Sequence, residues 1–217
     1  MWRSTEAGDD VGGHRALPLG AALALLPLLA TASCQAPSQD DGLHGTEVHD
    51  PVPAPELTLT DTEGRPFDLR DEARGQVTLL FFGYTHCPDV CPVHMATLGA
   101  AFDELEPEVR DAVQVVFVST DPDRDSPERI RRWLDGYHRS FIGLRGPIED
   151  INAALGELML PGVAVMPSEH GDEGEPLIGH PSAVVAFDRE GRARFRYPFG
   201  MRRADWLHDL PRLAEEL

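Results

Sequence analysis

The chain is most constrained by the stretch Val77 to Pro92, VTLLFFGYTHCPDVCP, where an apolar run leads directly into two cysteines with three residues between them. From Val77 to Phe82 only Thr78 is polar. Such a run is the pattern of a strand buried on both faces, in a sheet where its neighbours are parallel. Gly83 ends it. Pro92, with no N–H and a fixed φ, suits the first turn of a helix and is costly deeper inside, so a helix is expected to start near Cys91. Cys87 then lies in the strand-to-helix loop. Cys91 lies at the helix N-terminus, where unpaired N–H groups and the positive end of the dipole favour a thiolate. An inert structural disulfide is the simpler alternative. A bridge across three residues closes a very short loop, however, and proline-flanked cysteines at a strand end suit chemistry better than core packing.

The 217 residues leave room for one ordinary domain plus additional segments. Acidic residues number 37 against 19 basic ones, all of them Arg, for a net charge of −18. That balance argues against a nucleic-acid partner or binding to an anionic membrane through the surface, and reads as a solvated, solubilising face. Leu17 to Ala32 is apolar but broken by Pro18 and Pro27, and it is shorter than the ~20 residues of a spanning helix. It reads as the core of a signal peptide over residues 1–33, preceded by Arg3, His14 and Arg15, although Glu6, Asp9 and Asp10 dilute the positive end. Thr31-Ala32-Ser33-Cys34-Gln35 resembles a bacterial lipoprotein cleavage site, with Thr31 where Leu is usual. The expectation is a mature chain lipidated at Cys34; ordinary cleavage and an uncleaved anchor are the alternatives. An acyl chain there also accounts for the odd one of three cysteines. Export would leave Cys87 and Cys91 in an oxidising compartment, where they can rest as a disulfide.

Residues 34–55 are rich in Asp, Gly, Pro and Ser and read as a flexible tether, with His44 and His49 solvated. The folded domain is expected over residues 56–217. Leu57-Thr58-Leu59 alternates like a strand, with a turn at Asp61 to Gly64. Met95, Leu98, Phe102 and Leu105 form a helical stripe, with His94 off it. Val113 to Val118 is the next strand, completing a right-handed βαβ unit. Ser126 and Pro127 are N-cap and N1 residues of a helix with Ile130, Trp133, Leu134 and Tyr137 on its apolar face. Asp121 and Asp125, in the turn before it, are expected to bond local backbone N–H groups. Ile148, Ile151, Leu155 and Leu158 predict another helix, after which periodicity vanishes from Met159 to Gly179. Strands follow at Ser182 to Phe187 and Ala193 to Tyr197, with a turn at Asp188 to Gly191. His138 and His208 read as surface or partly buried helix residues, and Pro211 predicts a short or kinked last helix.

Taken whole, FFGYTHCPDVCP resembles the signature of the Sco/SenC family of copper-binding assembly proteins. ELTLTDTEGRPFDL matches the hairpin that precedes the central strand in that family, and STDPDRDSP is similar to its second signature, so the resemblance spans roughly Pro55 to Gly200. It implies an α/β, thioredoxin-like fold: a central mixed β-sheet flanked by helices, with an N-terminal β-hairpin and a loop insertion, SEHGDEGEP, before the His180 hairpin. The residues alone make His180 a loop histidine. The family places a copper-binding histidine at the start of such a hairpin, and Glu190-Gly191 falls where its acidic-glycine turn would fall. Pro181 departs from the usual Ser or Thr and biases His180 toward extended backbone.

The ligand set implied by the resemblance is therefore Cys87, Cys91 and His180. Two thiolates and one imidazole suit Cu(I), and the resemblance implies Cu(II) at the same residues; zinc is weaker because its structural sites generally use four ligands. Both sulfurs must be reduced to bind, so disulfide formation expels the metal. The reading that follows is a metallochaperone without turnover, monomeric and membrane-anchored on the extracytoplasmic side. It would bind one copper ion and, as the family resemblance implies, deliver it to the dinuclear copper centre of cytochrome c oxidase subunit II, with the copper donor left open. The rival is an exported thiol-disulfide oxidoreductase that acts through Cys87 and Cys91 on cysteines of that subunit or of another exported protein. The three-residue spacer and the surplus His180 speak against it, since thioredoxin-like reductases usually have a two-residue spacer. A peroxiredoxin-type peroxidase lacks its Pro-x-x-x-Thr-x-x-Cys pattern, because Leu80 and Tyr84 occupy those positions.

Overall fold

The structure, a computed structural model, describes residues 42–166 and 176–217. The signal-peptide and Cys34 readings, and the acidic loop up to Glu175, lie outside the described residues. In chain order the elements are β1 (Thr46–Glu47), β2 (Thr58–Asp61), β3 (Pro66–Asp68), α1 (Leu69–Glu72), β4 (Val77–Gly83), α2 (Val90–Phe102), α3 (Pro107–Ala112) and β5 (Val113–Ser119). They continue with α4 (Pro127–Asp135), β6 (Ile142–Arg145), α5 (Ile148–Glu157), β7 (Ala164–Met166), β8 (Leu177–Gly179), β9 (Val184–Phe187), β10 (Ala193–Tyr197) and α6 (Arg203–Glu216).

All of β4 is buried, and its alternation divides the interior. Val77, Leu79 and Phe81 join Met95, Leu98 and Phe102 of α2 and Trp206, Leu210 and Leu213 of α6 in one core. Leu80 and Phe82 face the other way, toward Leu57, Leu59, Leu69, Ile151 and Leu155. The single polar residue, Thr78, is satisfied by Gln114 Nε2, which donates to its Oγ1 at 2.8 Å. The result is the expected mixed sheet with helices on both faces and a thioredoxin-like arrangement, strand order β1-β10-β9-β4-β5-β6-β2-β3. The neighbours of β4 differ from expectation: β5 is parallel to it but β9 is antiparallel. A strand covered on both faces reads as continuously apolar in either case, so direction is not encoded in the run.

The hairpin of β2 and β3 forms as expected, with Asp61 Oδ1 accepting from the N–H groups of Glu63 and Arg65 at 2.8 Å each. Ser126 caps α4 through the N–H of Arg129 and Pro127 opens it. Four regions differ. The stretch from Gly42 to Pro55, read as tether, lies on the sheet: β1 pairs with β10, and Ala54, fully buried, donates its N–H to the Gly191 carbonyl. The region without periodicity before His180 contains a two-stranded ribbon, β7 with β8. β9 begins at Val184 rather than Ser182. Finally, α6 continues through Pro211 for 14 residues. Burial of Trp206, Leu210 and Leu213 along one face outweighs the single helical hydrogen bond that proline removes.

Candidate metal centre

The carboxyl end of β4 and the start of α2 meet at Gly83. An alanine Cβ there would stand 2.6 Å from Cys91 Sγ, 2.9 Å from Phe81 Cε1 and 3.1 Å from Phe117 Cε2, so glycine is what admits the sulfur against the strand. Asp89 caps α2 by accepting the Val90 N–H at 2.5 Å, which places Cys91 in the first turn and Cys87 in the loop. The loop itself is pinned by Asp125, a side chain with no exposure. Its carboxylate accepts from the Thr85 N–H at 3.0 Å, the Thr85 hydroxyl at 2.5 Å and the Ser119 hydroxyl at 2.6 Å. His86 turns toward the same carboxylate, 3.6 Å away, and not toward the sulfurs.

His180 follows directly after β8. Its ring stands edge-on to Phe81 and Tyr84, with centroids 5.9 and 5.6 Å away. Tyr84 holds β8 in place, its hydroxyl accepting the Ile178 N–H at 3.3 Å. His180 Nδ1 lies 3.0 Å from the Pro181 carbonyl, to which it donates, and this leaves Nε2 with a free lone pair. That Nε2 lies 3.4 Å from Cys91 Sγ and 3.8 Å from Cys87 Sγ. Pro181 thus does not turn the ring away from the sulfurs.

Both cysteines are unbridged and well buried, Cys91 fully and Cys87 with 9% exposure. Their environments differ. The Cys91 N–H points at Cys87 Sγ from 3.5 Å. The hydrogen bond with the Cys91 thiol, opposed by burial and aided by His180 and the backbone N–H groups of Cys91 and Asp89, holds Cys87 far below the usual thiol range. Burial first, and then the facing Cys87 thiolate, push Cys91 far above it. The two sulfurs are thereby pulled in opposite directions, Cys87 toward the thiolate and Cys91 toward the thiol. The donor atoms of Cys87, Cys91 and His180 all lie within 4.8 Å of one another, two soft and one borderline. A surface cleft of about 270 Å³ reaches Cys87 and His180 between Pro88 and Leu177.

His94, off the helical stripe, is nevertheless fully packed. It has 1% exposure, its Nε2 donates to the Ser182 carbonyl at 2.8 Å, and burial pushes its pKa down. It braces the segment that carries His180. Asp121 pairs with Arg124, whose guanidinium lies 5.8 Å from the Tyr84 ring centroid and donates to the Pro176 carbonyl at 3.0 Å. Gly83, Tyr84 and Asp125 were missed as site residues. Only their adjacency to the cysteine and STDPDRDSP stretches could have flagged them.

The SCO1/SenC family model matches residues 49–215. A Stutzerimonas stutzeri protein named for copper binding is 34% identical over 146 residues, 66% of this chain and 69% of its own. The solution structure of apo Sco1 from Thermus thermophilus is 34% identical with a TM-score of 0.67, over 79% of this chain and 97% of that one. Copper-bound ScoI of Bradyrhizobium japonicum is 27% identical with a TM-score of 0.60, over 76% of this chain and 98% of that one. The chain spans only 32% and 30% of the mitochondrial SCO proteins of Saccharomyces cerevisiae and Arabidopsis thaliana that it also matches.

Proposed function

The chain belongs to the SCO1/SenC family, and from that premise we propose that it is a copper metallochaperone that carries one copper ion on Cys87, Cys91 and His180 for assembly of the dinuclear copper centre of cytochrome c oxidase. The observation that carries this reading is the convergence of two sulfurs and one imidazole Nε2 within 4.8 Å. Two thiolates and an imidazole match Cu(I), which accepts low coordination and favours soft donors. The Pro181 carbonyl fixes the tautomer that leaves Nε2 as donor. Copper is cargo here. Oxidation of the pair to a disulfide removes both thiolate donors as two electrons pass to an oxidant, so release and redox state are coupled. The oxidase assignment rests on the family resemblance, and attachment through an acylated Cys34 on the sequence reading.

The contrast between the two thiols supports a second reading, a thiol-disulfide oxidoreductase. The Cys87 thiolate would attack a substrate disulfide, and Cys91, losing its proton, would resolve the mixed disulfide and release a substrate dithiol. His180→Ala separates the two. Exchange needs only the sulfurs, whereas the copper site also needs the imidazole. The chaperone reading predicts that His180→Ala lowers Cu(I) affinity in competition titrations and fails to support oxidase maturation, while dithiol oxidation stays near the parent rate. His138→Ala, remote from the sulfurs, is the control. Copper affinity and oxidase assembly surviving His180→Ala while Cys87→Ser or Cys91→Ser abolishes assembly would reverse the order of the two readings.

A further inference from the structure

A second group of donor atoms converges where the N-terminal segment crosses α6. Gly45 makes the crossing possible: a Cβ there would lie 2.8 Å from Tyr197 Cζ and 2.9 Å from Cε1, so only glycine lets the backbone rest on that ring. β1 then fixes the segment to β10, with Thr46 opposite Arg196. His44 is thereby delivered to Asp209. Its backbone N–H donates to Asp209 Oδ2 at 2.7 Å, and its Nδ1 lies 2.7 Å from Oδ1. His208 Nδ1 lies 2.7 Å from the same Oδ1, and the two rings meet edge to face with centroids 4.9 Å apart. Asp205, one turn earlier, places Oδ1 3.6 Å from His44 Nε2.

The Asp209 side chain has no exposure. A buried carboxylate costs several kcal/mol unless its charge is matched. Its carboxylate accepts from His44 and His208 and faces the Tyr197 hydroxyl, none of them a permanent cation. Tyr197 beneath it is kept protonated, by burial first and by the Asp209 carboxylate second. Two imidazole nitrogens therefore aim at one oxygen of a buried anion.

We propose that His44, His208 and Asp209 form a second metal site, for a borderline divalent cation of the Zn²⁺ or Cu²⁺ class. The donor atoms lie within 4.8 Å of one another. Two imidazoles and a carboxylate suit such an ion and do not suit Cu(I), which favours thiolates. A tetrahedral ion with bonds of about 2.0–2.1 Å holds its ligands about 3.3 Å apart, so each imidazole retreats from Oδ1 by only about half an ångström. Both have room: the side chains of His44 and His208 are 40% and 29% exposed. The site shares no residue with the cysteine cluster. An ion bound there staples the segment between the expected anchor and the domain to the last helix.

The test uses the mature-length chain carrying Cys87→Ser and Cys91→Ser, so that the first site is silent. Zn²⁺ and, separately, Cu²⁺ are titrated by calorimetry, and thermal unfolding is followed with and without each ion. About one equivalent of at least one ion should bind and raise the melting temperature. His44→Ala and His208→Ala should each weaken binding at least tenfold and abolish the thermal shift, with the far-ultraviolet circular dichroism of the parent retained. His49→Ala and His138→Ala should change neither. His44 lies outside the helices, so His44→Ala carries the test should His208→Ala fail to fold. Binding of neither ion, or binding unaltered by the histidine substitutions that fold, would overturn the proposal.

Discussion

Gly83→Ala is the sharpest probe of how the sheet shapes the cysteine site. The added Cβ would meet Cys91 Sγ at 2.6 Å, Phe81 Cε1 at 2.9 Å and Phe117 Cε2 at 3.1 Å. Ordinary contacts lie at about 3.5–4.0 Å, so the sulfur must retreat by about 1 Å. The strand cannot give way instead, because β4 is paired with β5 along its whole length and with β9 over its first half. Overpacking of this kind costs about 1–3 kcal/mol, and the stiffer unfolded chain returns roughly 0.4–1 kcal/mol. The net loss is about 1–2 kcal/mol, or roughly 2–8 °C in melting temperature for a domain of this size. Copper should suffer more, since ligand positions tolerate only about 0.2 Å. Reduced protein should lose at least tenfold in Cu(I) affinity by competition with a chromophoric chelator. Gly156→Ala is the matched control: it lies in α5 with nothing within 4 Å of the new Cβ, so it should gain about 0.5–1 kcal/mol and bind copper normally. A Gly83→Ala protein that melts with the parent and takes up copper equally would refute the reasoning.

Further outcomes follow from the same geometry. Asp125→Ala strands the Thr85 N–H and the hydroxyls of Thr85 and Ser119, and should cost about 2–4 kcal/mol in urea unfolding; a loss below about 0.5 kcal/mol would mean that the loop is held by something else. His94 is buried with its pKa pushed down, by burial first, so the unfolded chain takes up the proton more readily. Its contribution is present above about pH 6.5 and is lost as pH falls below that value. His94→Gln should flatten that part of the stability profile, and an unchanged slope would contradict the assignment. The disulfide form should take up no Cu(I), with about one copper per chain restored by a thiol reductant; equal uptake by both forms would place the metal elsewhere. Intact-mass analysis should find a chain that starts at an acylated Cys34, and an unmodified chain starting elsewhere would remove the anchor.

The sequence alone determined those features that rest on local chemistry. A continuous apolar run specified a buried strand, Pro92 and Pro127 marked helix starts, and the spacing of Cys87 and Cys91 put two sulfurs at one strand-to-helix corner. The β2–β3 hairpin was equally legible, because Asp61 and the turn after it act within a few residues. What remained hidden depends on contacts between residues far apart in the chain. Periodicity reports burial but not strand direction, so the antiparallel pairing of β9 with β4 could not be read from the apolar run. A run of Asp, Gly and Pro looks like tether until β10 offers an edge, after which Gly45 and β1 carry His44 to α6. Pro211 argues locally against a helix that packing of Trp206, Leu210 and Leu213 nevertheless sustains. Asp125 looked like a turn acid, and only the fold brings its carboxylate beneath Thr85, 40 residues away. The sequence by itself named His180 only through resemblance. The tertiary structure alone brings its Nε2 to 3.4 Å from Cys91 Sγ, because a side chain contributed across 89 residues has no local signature and is placed by packing against Phe81 and Tyr84.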